Sequence, residues 1–72
     1  MAMEWVQVTP TIWITEFTQY RAVLSQLSGT QPGFVVHVED GDVLHPSNII
    51  FQTFEGAAHW ATVRLLTVAG HE

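Results

Sequence analysis

Lysine and cysteine are both absent from this chain, and Arg21 and Arg64 are the only basic side chains besides four histidines. Seven carboxylates oppose them, giving a net charge of −5 over 72 residues. Without cysteine there is no disulfide, no thiolate zinc site and no thiol nucleophile. So few cations exclude the usual electrostatics of nucleic-acid binding and of attraction to an acidic membrane. No apolar run approaches the roughly 20 residues that span a bilayer as a helix. No cationic N-terminal stretch leads into an apolar segment, so no signal peptide is expected and the expected location is cytoplasmic. With no repeat, linker or low-complexity segment, a single compact domain over residues 1–72 is expected.

What is present is apolar. Hydrophobic residues make up 47% of the chain and charged residues only 12%, against about 25% charged in an average protein. A chain this short buries only about 60% of the surface that its unfolded form exposes. Small domains offset such thin cores with disulfides, a structural metal or association. A surface made of Thr, Gln, Ser and apolar groups resists association poorly. Homo-oligomerisation or docking to a partner protein is therefore expected.

Residues 4–16 alternate with period two, which predicts extended structure. One parity carries Val6, Val8, Ile12 and Ile14; the other carries Trp5, Gln7, Thr9, Thr11, Trp13 and Thr15. Pro10 implies an edge position, a bulge or a break between two short strands. Residues 16–28 place Phe17, Tyr20, Leu24 and Leu27 at helical spacing beside Val23, with Thr15 as N-cap and Gly29 after the C-terminus; a helix is expected. Residues 34–44 predict a hairpin around Asp40-Gly41, pairing Glu39 with Asp42, Val38 with Val43 and His37 with Leu44. Phe34, Val36, Val38 and Val43 then share a buried face, while His37, Glu39, Asp42 and Leu44 share the other.

From Thr53 a helix stripe runs through Phe54, Ala57, Ala58, Ala61, Leu65 and Val68, with Thr53 as cap and Gly70 as stop. Residues 62–68 are also good strand material. The expectation is a helix over 54–61 followed by a fourth strand, with a full helix to Leu66 as the alternative. The expected class is α+β: a small antiparallel sheet of three or four strands covered by one or two helices, in the order β-α-β-β-α(-β).

Several groups invite a chemical reading. His37, Glu39, Asp40, Asp42 and His45 crowd nine residues, and imidazole with carboxylates is metal-ligand chemistry. His45 is expected to face away from His37, however, and a solvated charged tip explains the cluster without metal. Asp40-Gly41-Asp42 lacks the downstream ligands of a calcium loop. Ser47, His45 and Asp42 lie too close in sequence for triad geometry, with no nucleophile elbow. His59 is at most a lone base. No catalytic residue, metal or cofactor is therefore expected, and no enzymatic activity.

Binding is the stronger reading. Glu39, Asp40 and Asp42 form an acidic tip, and Glu4, Glu16, Glu55 and Glu72 look scattered. Trp5 and Trp13 share the polar parity of the first segment, either as exposed aromatic anchors or as core beneath a covering layer. Glu39, Asp40, Asp42, Trp5 and Trp13 are thus the candidate contacts of a protein-binding module. Its expected partner is a larger protein with a basic surface, of the kind that handles nucleic acid, which the module inhibits or modulates. In size and composition the chain resembles phage-encoded inhibitors of bacterial defence, including anti-CRISPR proteins. The alternative comes from Asn48-Ile-Ile-Phe-Gln-Thr-Phe-Glu-Gly-Ala-Ala-His-Trp60, which resembles the strand–helix step of dimeric ferredoxin-like proteins related to antibiotic-biosynthesis monooxygenases. That resemblance implies a dimer that binds or transforms a small molecule.

Overall fold

A computed structural model describes residues 3–70. Five strands run in sequence order across one antiparallel sheet: β1 (Val6–Thr9), β2 (Ile12–Phe17), β3 (Tyr20–Leu27), β4 (Gly33–Asp40) and β5 (Val43–Pro46). A single helix, α1 (Phe54–Gly70), follows. This corrects the expected β-α-β-β-α(-β) order and its three or four strands. It also removes the ferredoxin-like topology, which needs a helix between strands.

The largest error lies at residues 16–28, where β3 replaces the expected helix. Phe17 and Tyr20 pair directly across the sheet, closing a two-residue turn at Thr18-Gln19. Such a closing pair is spaced i, i+3, the same interval as one helical turn. Beyond it, Tyr20, Ala22 and Leu24 are buried at strict alternation, the strand period. Thr18 holds the turn with φ of 56°.

Pro10 and Thr11 form the turn between β1 and β2, so the proline marks a break between short strands. Gln7 pairs with Trp13 and Thr9 with Ile12, leaving Val8 as a bulge. In the β4–β5 hairpin the turn is Gly41-Asp42, with Asp40 opposite Val43 and Glu39 opposite Leu44. The expected pairing was two residues out because Gly41, at φ of 62°, takes the first central position of the turn, where a positive φ is needed. A shift of two keeps the parity of each strand, so Val36 and Val38 stay on the buried face, but Val43, expected there too, is exposed and Asp42 lies in the turn.

After Pro46 the chain stays on the edge of β4. The Ser47 amide donates to the Val36 carbonyl at 2.9 Å, and Phe34 and Phe51 exchange two backbone hydrogen bonds at 2.8 Å. Thr53 then caps α1: its Oγ1 accepts from the Gly56 amide at 3.0 Å. The helix continues without a break to Gly70, so the fourth strand expected after Ala61 does not form. The hydroxyls of Thr62 and Thr67 donate to the carbonyls of Ala58 and Val63 at 3.0 and 2.7 Å, and the Arg64 guanidinium covers the Trp60 ring at 5.2 Å.

Helix and sheet meet through small residues. Ala57, Ala61 and Leu65 are fully buried against Tyr20, Ala22, Leu24, Val36 and Val38. Alanines at i and i+4 bring the helix axis close to the sheet, and Leu65 fills the wider space beyond them. All of this core lies on one side of the sheet.

Candidate protein-binding surface

Pairing register sorts the sheet into two faces. The helix side carries Trp13, Thr15, Phe17, Tyr20, Ala22, Leu24, Val36, Val38 and His45. The other side has no covering layer among the described residues. Read across the strands, one row of that open face runs Val6–Ile14–Val23–His37–Pro46, and the row before it includes Ile12, Ser25 and Val35. Antiparallel sheets usually present polar side chains to water on such a face. Here Val6 remains 61% exposed and Leu44 59%.

This puts residues 4–16 in the second of the two expected arrangements, with the tryptophan parity beneath a covering layer. Val6, Val8, Ile12 and Ile14 lie on the open side, and the tryptophans pack under α1. Trp13 meets Phe54 edge-on at 5.2 Å and Phe34 at 6.4 Å, while Trp5 meets Phe54 at 6.0 Å. Trp5 and Trp13 are thus part-buried flanks of the core. Thr15, also on this side, is buried, and its Oγ1 donates to the Glu4 carbonyl at 2.7 Å.

The third row of the open face is charged. Glu16 pairs with Arg21, Arg21 with Glu39, and Glu39 with Leu44. Arg21 Nη2 lies 3.4 Å from Glu16 Oε2 and Nη1 lies 4.0 Å from Glu39 Oε1. His37 Nε2 sits 3.1 Å from the other Glu39 oxygen. Glu4 joins them, lining a depression of about 470 Å³ with Val6, Ile14, Glu16 and Arg21. The turns at residues 18–19 and 41–42 stand side by side, since Glu16, Gln19, Arg21, Glu39 and Gly41 line one hollow. Asp40 and Asp42 lie at the second of these turns.

Folding thus gathers carboxylates that look scattered along the chain. Glu4, Glu16, Glu39, Asp40 and Asp42 share one end of the sheet, leaving Glu55 elsewhere on α1; Glu72 lies outside the described residues. Among the described residues, these five carboxylates share that end with one guanidinium, Arg21. Sequence reading missed Glu16 and Arg21 because it placed residues 16–28 on a helix, and with them it missed Glu4, which lines the same depression. The tight-turn pair Phe17/Tyr20 was the signal that would have brought them together.

The chain matches no protein-family model, no curated protein and no solved structure. The surface must be read from its own geometry.

The chemical candidates separate in space. His37 and Glu39 come together, but His45 points to the helix side with its pairing partner Val38, and Asp42 sits in the turn. Among the described residues, no three of His, Cys, Asp or Glu converge as a metal site would require. The Ser47 hydroxyl donates to the Ile49 carbonyl at 3.0 Å, tying the loop after β5. His59 is exposed on the outer side of α1. No described helix is long and apolar enough to cross a membrane.

Proposed function

We propose that this protein is a small binding module that inhibits or modulates a larger protein with a basic surface, acting in the cytoplasm, in the manner of the phage-encoded inhibitors it resembles in size and composition. The observation that carries the reading is the acidic end of the sheet, where Glu4, Glu16 and Glu39 stand with Arg21, and Asp40 and Asp42 lie at the adjoining turn. A concentrated negative field speeds encounter with a cationic surface and suppresses wrong partners, while nearby apolar contacts hold the complex. A partner surface evolved for nucleic acid offers such a positive field, and a protein that occupies it blocks the natural ligand. Trp5 and Trp13 pack beneath the helix, so the contacts proposed here are the carboxylates and not the tryptophans.

The test uses the whole chain as bait in host lysate beside a Glu39→Lys/Asp40→Lys/Asp42→Lys variant. The expected result is capture of one basic protein, identified by mass spectrometry, with affinity at least tenfold weaker for the variant and falling as salt rises. Equal affinity for both baits, or binding that strengthens with salt, would sink the reading.

A further inference from the structure

Residues 3–9 are held differently from the rest of the molecule. All four residues of β1 are exposed, and β1 pairs with β2 alone, while α1 lies over β3 and β4. The β1–β2 ladder is interrupted at Val8 and stops at Pro10, which has no amide to donate. None of these residues belongs to the buried core, which β3, β4 and α1 supply among themselves. Segments with little buried apolar contact and solvent-exposed backbone pairing are the ones that open without global unfolding. We propose that residues 3–9 form a strap, clasped by Thr15 and Phe54, that opens as one unit from the edge of β2 while the rest of the fold persists.

The fastening points lie at one end of the strap. The Thr15 hydroxyl donates to the Glu4 carbonyl at 2.7 Å, and the Trp5 ring meets Phe54 edge-on at 6.0 Å. Met3 also packs against the core. Past Trp5 the side chains of Val6, Gln7, Val8 and Thr9 face water, so the interrupted ladder holds the strap there by itself.

The remainder of the fold is complete without the strap. Phe54 keeps Trp13 at 5.2 Å and Phe34 at 6.0 Å, so the helix stays fastened to the sheet. The Thr11 carbonyl accepts from the Gln26 amide at 2.8 Å, which ties the far side of the turn to β3. The hinge therefore falls between Thr9 and Thr11, at Pro10. β2 stays paired with β3 from Ile12 to Phe17. On opening, β2 becomes the edge strand, with its outward amides and carbonyls free. The buried hydroxyl of Thr15 meets water, and Glu4 leaves the depression that it shares with Glu16 and Arg21. The acidic end thus has a closed form with Glu4 and an open form without it. This equilibrium belongs to the chain alone and stands whether or not a basic protein binds there.

Native-state amide hydrogen exchange by NMR, on the whole chain and at several urea concentrations below unfolding, tests the strap. Amides bonded between β1 and β2 are expected to share one level of protection, at least about tenfold below that of the β3–β4 ladder. Their exchange is expected to depend less on urea, because the opening exposes less surface than global unfolding does.

Two variants separate partial from global opening. Thr15→Val removes a bond that only the closed form makes, so protection should fall about fivefold in both ladders. Thr53→Ala weakens the cap of α1 in the closed and open forms alike. It should lower β3–β4 protection about fivefold and leave the β1–β2 ladder unchanged. Protection of β1–β2 equal to that of β3–β4, or a fall there in Thr53→Ala, would mean that the strap leaves only when everything unfolds, and would overturn the proposal. So would protection that declines residue by residue toward the chain end, which is fraying and not a unit, and so would β1–β2 protection unchanged by Thr15→Val. None of these measurements involves a partner or the acidic reversal variant, so this proposal and the function proposed above fail separately.

Discussion

Phe54 is where the helix is fastened to the sheet, and replacing it should cost more than any other change at a residue that is not fully buried. As the first residue of α1 it meets three rings: Trp13 at 5.2 Å, Trp5 at 6.0 Å and Phe34 at 6.0 Å, each near edge-to-face. Truncating a core phenylalanine to alanine costs about 3–5 kcal/mol. Phe54 is half-buried, so the lower end applies, about 3 kcal/mol. Phe54→Leu keeps most of the apolar volume but forfeits ring pairing, worth about 0.5–1.5 kcal/mol per pair and less than additive; about 1–1.5 kcal/mol is expected. For 72 residues, an unfolding entropy of about 2.1 cal/mol/K per residue makes 1 kcal/mol equal to about 6–7 °C in Tm. Thermal melts by circular dichroism should therefore fall by about 20 °C for Phe54→Ala and about 8 °C for Phe54→Leu. The folded-state tryptophan emission should shift to the red in the alanine variant as Trp5 and Trp13 lose cover. A Phe54→Ala melt within about 5 °C of the parent would refute the claim that this ring joins helix to sheet.

Other substitutions test other joints. Gly33→Ala should destabilise by about 2 kcal/mol in urea unfolding, because an added Cβ would meet Ile50 Cγ2 and lie 2.8 Å from the Phe51 carbonyl oxygen; a neutral result would mean the loop after β5 gives way freely. Thr18→Gly should raise the urea midpoint by the equivalent of about 0.5–1 kcal/mol, since a β-branched residue at φ of 56° is strained where glycine is not; a lower midpoint would show that Thr18 makes a contact worth more than its strain. Thr53→Ala should cost about 1 kcal/mol through loss of the cap on Gly56, with Thr53→Ser largely restoring it. Arg21→Gln should change stability by no more than about 0.5 kcal/mol, because both of its ion pairs are solvent-exposed and exposed pairs contribute little; a loss above about 2 kcal/mol would show that the charged row holds the sheet together.

Some of this architecture is legible from residues alone. Alternation at residues 4–16, the break at Pro10, the Thr53 cap and the stripe Phe54, Ala57, Ala61, Leu65 all follow from period and local chemistry. Residues 16–28 were not legible, because Leu, Ala and Gln favour helices and the turn pair Phe17/Tyr20 imitates a helical interval. Only the pairing of Ala22 with both Thr15 and Val38 fixes the segment as a central strand, and that is information from distant parts of the chain. The same error scattered the acidic site, since Glu16 and Arg21 reach Glu39 only when β2, β3 and β4 are neighbours. Residues 62–68 failed for a different reason: valine and threonine suit either state, and burial of Ala61 and Leu65 on one side decides for helix.

The strands are apolar on both sides of the sheet. A sheet covered on one side by a helix needs apolar residues on that side only, and water selects polar residues on the other. This chain places Val6, Ile12, Ile14, Val23 and Val35 on the uncovered side, in contiguous rows across four strands. The apolar stretch ends at the next row, Glu16, Arg21 and Glu39. Near-absence of cations leaves both regions unshielded: among the described residues the acidic end holds one guanidinium, Arg21, and the apolar rows hold no lysine.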